Sequence, residues 1–214
     1  MEHVTQLLLI LVILANLFVL GSHPLGACIR AVAFQGIALG LLPLSLHPEE
    51  RSIHLFVIAL GMVGLKGFVI PGLLFRAIRD AAIRKEQEPL IGFNTGLFLG
   101  AILVGLGFGI AGKLPLPPHT GSSMVVPVAL STVMMGLLVI VTRAKILSQA
   151  LGYLILENGI YTFGLILAAG LPGLIEMGVL LDIFAGIFIM GTVIEHIHRE
   201  FGSISAHKLV NLRE

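Results

Sequence analysis

The sequence predicts an all-α, polytopic integral membrane protein of seven transmembrane helices, with its N-terminus outside and its C-terminus in the cytoplasm. Three observations carry that prediction. Hydrophobic residues make up 57% of the chain and charged residues only 12%, about half the charged fraction usual in a soluble domain. Apolar stretches of about 20 residues follow one another with short polar breaks, the spacing that a ~30 Å hydrocarbon core demands of helices. The basic residues also fall almost wholly on one side of the resulting topology. Lipid offers the backbone no hydrogen-bond partner, so each span must be a helix or part of a closed barrel. Continuous apolar runs, without the alternation of barrel strands, select helices.

The spans are expected at 4–21, 27–46, 52–78, 92–112, 123–141, 149–169 and 172–197. The first lacks the basic leader of a cleaved signal, since Glu2 and His3 precede it, and its apolar run from Val4 to Leu20 is longer than a usual signal core. It is expected to be retained. Ser22-His23-Pro24 separates it from the second span, where Gly36 and Gly40 repeat at four-residue spacing. Such a face of small residues lets helix backbones approach closely. His47-Pro48-Glu49-Glu50-Arg51 leads into the long third span, in which Pro71 is expected to cause a kink. The charged run from Arg79 to Pro89 and the segment Leu114-Pro115-Leu116-Pro117-Pro118 bound the fourth span, whose Gly92, Gly96 and Gly100 form a second small-residue face. Gly105, Gly107 and Gly109 in the same span resemble a nucleotide loop only superficially, because no strand precedes them. Gly170-Leu171-Pro172-Gly173 is short enough to make spans six and seven a tight hairpin.

Orientation follows from the positive-inside rule. With the C-terminus in the cytoplasm, the inner face collects Arg30, Arg76, Arg79, Arg84, Lys85, Arg143, Lys145, Arg199, Lys208 and Arg213, while the outer face keeps Arg51 and Lys113. Only Lys66 remains within a span. Cys28 is the single cysteine, so an internal disulfide is excluded. A net charge of +1 carries no nucleic-acid signal.

A charge at the centre of a membrane helix costs at least ~2.5–3.5 kcal/mol, so each one asks for a reason. Lys66, Glu157 and Asp182 lie near the midpoints of spans three, six and seven. Glu157 has Tyr153 and Tyr161, the two tyrosines of the chain, at i−4 and i+4, on its own helical face, with Asn158 beside it. Asp182 has Gly178 and Gly186 at the same offsets, leaving room for a neighbouring helix or for water. Acids and a lysine in such an arrangement are the parts of a proton relay. The plainer alternative is a protonated, hydrogen-bonded acid that holds helices together. Asn16, Gln35, Ser131 and Thr132 fit interhelical bonding better than a pathway. Glu176, one turn into span seven, either exchanges protons with the outer side or simply complements the helix dipole, and His54 is similarly placed. Glu195, His196, His198 and Glu200 gather where span seven leaves the membrane. The two histidines point to different faces, so solvation at the interface is expected there and no metal site. No nucleophile–base pair, phosphate loop or cofactor motif is present, and the residues by themselves point to a membrane protein with a proton- or ion-handling centre.

Particular segments resemble a known family. Thr142-Arg143-Ala144-Lys145-Ile146-Leu147, Leu151-Gly152-Tyr153-Leu154-Ile155-Leu156-Glu157-Asn158-Gly159, Leu174-Ile175-Glu176-Met177-Gly178 with Asp182, and the tail Leu209-Val210-Asn211-Leu212 look like the hydrogenase-4 component E family. Lys66 with Pro71 resembles the same family. The C-terminal part is also similar to the three-helix K subunit of respiratory complex I and to the C subunit of Mrp-type antiporters. The resemblance implies a four-helix region over 1–121, a three-helix unit over 122–198 and a cytoplasmic tail over 199–214. The membrane-embedded glutamates of the K subunit would correspond to Glu157 and Asp182, the latter one methylene shorter. The implied role is a non-catalytic subunit, without an electron-transfer cofactor of its own, in the inner membrane of a prokaryotic cell. Its partners would be the lipid bilayer, antiporter-like and quinone-subunit-like membrane subunits and a peripheral [NiFe]-hydrogenase module. The alternatives are a self-sufficient cation/proton secondary transporter, against which the lack of a convincing internal repeat counts, and a purely structural anchor.

Overall fold

The computed structural model describes residues 2–46, 53–80, 90–114 and 123–167, together with 183, 184, 186, 187 and 191. Among them the chain forms helices α1 (Glu2–Gly21), α2 (Leu25–Leu46), α3 (Ile53–Gly64), α4 (Ile70–Asp80), α5 (Phe93–Ala111), α6 (Val125–Thr142) and α7 (Ile146–Leu167), with a π-helical turn over Leu65–Val69 joining α3 to α4. The protein is all-α and membrane-embedded. Five stretches of the described chain are long and apolar enough to cross a bilayer: α1, α2, the continuous rod Leu55–Arg79, α5 and α6. The 22 residues of α7 give it about 33 Å at 1.5 Å per residue, also enough to span. The expected seventh span at 172–197, with its hairpin and with Glu176 and Asp182, falls outside the described residues except for Ile183, Phe184, Gly186, Ile187 and Gly191. Those five are helical, and Gly186 lies beside Ile70 of α4. The cluster Glu195, His196, His198 and Glu200 and the tail are also outside the described residues, as is the side chain of His54.

Helix ends follow the sequence closely, with one informative shift. α7 starts at Ile146, three residues before the expected 149, because the Lys145 carbonyl accepts the backbone N–H groups of Ser148 and Gln149 at 3.0 and 2.9 Å. The break between α6 and α7 thus shrinks to Arg143-Ala144-Lys145. Arg143 is itself buried, and its Nη2 donates to the carbonyls of Val19 at 3.1 Å and Leu20 at 3.5 Å. These carbonyls close α1, where a helix presents unmet acceptors and the negative end of its dipole. The guanidinium also lies 5.2 Å from the Phe93 ring centroid at the start of α5, and Leu90 N–H donates to Thr142 O at 2.8 Å. One arginine therefore ties α1, α5 and α6 together at the end of the bundle that charge assigns to the cytoplasm.

Glycine sets the spacing of the helices. Gly36 and Gly40 form the expected close-approach face of α2: a Cβ on Gly36 would sit 2.5 Å from Lys66 Cβ, and one on Gly40 would sit 2.7 Å from Val63 Cγ2. On α5, Gly96 and Gly100 pack against Leu17 and Leu20 of α1, and Gly107 packs against Pro127 and Ser131 of α6. Gly92 differs from the expectation: it is the extended residue that precedes α5, with ψ 149°, and its position meets only Thr95. The tightest approach joins α6 to α7, where Gly136 abuts the backbone of Leu156 and Gly159 abuts that of Val133.

The irregularity expected at Pro71 takes the form of the π turn. Proline lacks an N–H and its ring crowds the carbonyl four residues back, here that of Gly67. Immediately before it the helix widens, so that Ile70 N–H donates to Leu65 O, five residues away.

Two apolar clusters fill the interior. One includes Val19, Leu20, Ile29, Val32, Ile70, Leu74, Met135, Leu151 and Ile155. The other includes Leu9, Val12, Leu39, Leu42, Met62, Val125, Val128 and Leu165. On each of α1, α2, the third span, α6 and α7, buried polar side chains lie between the two clusters: Asn16, Gln35, Lys66, Ser131 with Thr132, and Glu157 with Asn158.

The α6–α7 contact yields a stability prediction. Gly136→Ala places a methyl group against rigid backbone and is expected to destabilise the fold by about 1–3 kcal/mol, the usual range for overpacking. Gly105→Ala, at a position where a Cβ would meet nothing within 4 Å, is expected to leave the thermal midpoint of the detergent-purified protein unchanged. Equal midpoints for the two variants would refute the packing argument.

Candidate functional site

Between the apolar clusters lies a layer of polar side chains. Lys66 is the second residue of the π turn, and α2 presses on it through Gly36. With α2 so close, the lysine side chain extends to α7, where its Nζ donates to Asn158 Oδ1 at 2.8 Å. The ammonium also stands 5.3 Å from the centroid of the Tyr161 ring, within the range at which an aromatic face attracts a cation. Asn158 and Tyr161 are three residues apart and share that side of α7. The Asn158 carbonyl in turn accepts the Thr162 hydroxyl at 2.7 Å.

Burial is nearly complete. Lys66 is 6% exposed, Asn158 3% and Glu157 2%. Glu157 precedes Asn158 by one residue and so points about 100° around α7 from it. Tyr153 is half-buried and Tyr161 buried, one turn to either side of the carboxyl. A lysine and a glutamate are therefore both enclosed near the middle of their spans. Beside Lys66 and Asn158 is a cavity of about 10 Å³, otherwise lined by Ile29, Val32, Ile70, Pro71, Leu74 and Leu154, which is room for about one water.

A second set of polar groups lies in the same layer. Gln35 Nε2 donates to Asn16 Oδ1 at 3.0 Å, and Asn16 Nδ2 donates to Thr132 Oγ1 at 3.0 Å. This chain links α2, α1 and α6, and all three side chains are buried. Gln35 Oε1 has no hydrogen-bond partner among the described residues. Ser131 donates to the Pro127 carbonyl at 2.7 Å, on its own helix. Gln35 adjoins Gly36, so the two polar sets meet on α2.

Of the residues singled out from the sequence, Lys66, Asn158 and Tyr161 come together directly, with Glu157 and Tyr153 on adjoining turns of α7. Asp182 and Glu176 are outside the described residues. Sequence reasoning treated Asn16, Gln35 and Thr132 as separate polar positions and did not join them into one chain. Their common depth, each near the middle of its span, was the available signal. The pairing of Lys66 with Asn158 had none, since they are 92 positions apart.

That pairing is open to a double-mutant cycle. Asn158→Leu removes the acceptor of a charge-assisted bond and is expected to cost about 1.5–3 kcal/mol. Lys66→Met in the same chain is expected to recover part of that loss, because no ammonium then remains to be solvated. Strict additivity of the two substitutions in detergent unfolding would show that the side chains are not coupled.

Comparison with known proteins covers almost the whole chain. It is 31% identical over 203 residues to the uncharacterised protein Rv0085 of Mycobacterium tuberculosis, spanning 94% of this chain and 92% of that protein. It is 26% identical over 203 residues to hydrogenase-4 component E of Escherichia coli K12, spanning 95% and 94% respectively, and to the same extent to the component E of Shigella flexneri. No family model matches the chain. No solved structure matches it. The coverage runs through both the region of Lys66 and that of Glu157; on it the chain belongs to one family with Rv0085, and it is similar along the same length to the proteins named hydrogenase-4 component E.

Proposed function

We propose that this chain is a membrane subunit of a hydrogenase-type, complex I-like assembly in a prokaryotic inner membrane. In this role it carries part of a mid-membrane proton path and joins the redox module to antiporter-like subunits. The relatives named hydrogenase-4 component E support membership of such a complex. The redox centres belong to other subunits, and this chain holds no electron-transfer cofactor.

The observation that carries the proton path is the buried Lys66–Asn158 hydrogen bond, 2.8 Å long, with the buried Glu157 next in the chain. Intramembrane ionisable groups on facing helices are the usual stations of a relay. In the proposed sequence the Lys66 ammonium releases a proton to water in the adjoining cavity, and Glu157 takes it up as a carboxylate and becomes a carboxylic acid. Asn158 accepts a hydrogen bond through Oδ1 but has no titratable proton; it orients the ammonium and does not carry charge. Tyr161 and Tyr153 support water beside the carboxyl. Asp182 and then Glu176 continue the path toward the outer side.

A structural anchor is the second reading, favoured by the same bond because it ties the third span to α7. The two readings separate in the assembled complex. Glu157→Gln keeps the shape of the side chain and removes its titration, and it is expected to preserve assembly and hydrogen-linked redox turnover while abolishing most proton translocation. Unchanged translocation would rule out the relay. Loss of assembly, in Glu157→Gln and Lys66→Met alike, would favour the anchor. Ion flux through the purified chain alone in liposomes would instead identify a self-sufficient transporter.

A further inference from the structure

The outer surface of the α1–α2 hairpin carries a groove that the polar layer does not use. Its volume is about 480 Å³, and it lies on the side of α2 away from Lys66. Ala15, Ala27 and Ala31 form its floor, and Leu14, Phe18 and Phe34 stand exposed along its walls. Among the described residues its one charged lining residue is Arg30, which is exposed, and no carboxylate lines it.

Depth identifies the occupant. The groove starts near the ends of the two helices, at Phe18 and Ala27, and stops at Leu11 and Phe34. Leu11 is the tenth residue of the 20 in α1, and Phe34 is the tenth of the 22 in α2. The groove therefore runs from one membrane face to the midplane, over seven residues or about 10 Å of rise on each helix. Half of a ~30 Å hydrocarbon core is about 15 Å. A helix from a partner subunit would cross the full thickness and need a seat on both halves of the hairpin. The acyl chains of a single leaflet end where this groove ends.

Charge agrees with depth. Arg30 lies five residues inside the start of α2, and its long side chain reaches back toward the headgroups while its stem follows the apolar wall. Its guanidinium can present a fork of N–H donors to a phosphate. We propose that this groove binds one anionic phospholipid, with the acyl chain between α1 and α2 and the headgroup phosphate on Arg30. In the topology that charge dictates, the lipid belongs to the cytoplasmic leaflet. The site is independent of the proposed proton path.

The test uses the full chain purified in mild detergent and exchanged into mixed micelles. Lipid retention is read by native mass spectrometry, and the thermal midpoint is followed alongside. The wild-type protein is expected to retain phosphatidylglycerol about fivefold better than phosphatidylcholine, the discrimination that one basic residue near the surface provides. Arg30→Gln is expected to abolish the preference and Arg30→Lys to keep most of it. Ala27→Trp, which fills the floor, is expected to lower retention of both lipids. Equal retention of the two lipids by the wild type would overturn the proposal, as would retention unaffected by Ala27→Trp. A midpoint raised as much by inorganic phosphate as by phosphatidylglycerol would also overturn it, by showing an anion site without an acyl chain. Loss of a co-purifying membrane subunit on Ala27→Trp, with lipid retention unchanged, would assign the groove to a protein helix.

Discussion

The cost of holding polar groups at the centre of a bilayer organises this protein. Lys66, Asn158, Asn16, Gln35 and Thr132 all lie between two apolar clusters, and each would be expensive if left facing lipid. The helices offset that cost by turning these side chains toward one another. Three hydrogen bonds of 2.8–3.0 Å then link α1 to α2, α1 to α6 and the third span to α7. In lipid, where apolar contact does little to drive helices together, such bonds and close backbone packing supply the specificity of association.

The close packing and the polar layer depend on each other. Gly36 lets α2 touch the backbone of the π turn, and the turn carries Lys66 to where its ammonium reaches α7. The π turn immediately precedes Pro71, whose ring crowds the carbonyl four residues back. On α7, Gly152 and Gly159 press against α6, while Asn158 faces away from that contact toward the lysine. Small residues thus bring the backbones together, and the polar side chains make the remaining links.

One layer can thus serve as a structural element and, in the proposed role, as a place for proton chemistry. Asn16, Gln35 and Thr132 are neutral, so their chain of bonds holds helices without a change of charge. Lys66 and Glu157 can change charge, and the cavity of about 10 Å³ beside the lysine leaves room for the water that proton exchange requires. At one end of the bundle a different cation, Arg143, closes the α1 terminus through backbone carbonyls and an aromatic ring.

The sequence by itself determined the helical class, the membrane setting, the boundaries of the described helices to within a few residues and the place of Lys66 and Glu157 near the middle of their spans. These follow from local quantities: run length, hydropathy and the position of proline and glycine breaks. It also marked Lys66, Glu157 and Asp182 as residues that need a reason, since their cost depends on depth alone, with Asn158 as a polar neighbour of Glu157. Only the tertiary structure decided that Lys66 reaches Asn158, that Asn16 is the hinge of the Gln35–Thr132 link, and that Gly92 stands apart from the α5 packing face. Each of these depends on which helices are neighbours and how they are rotated, and hydropathy is blind to both because every face of these helices is largely apolar.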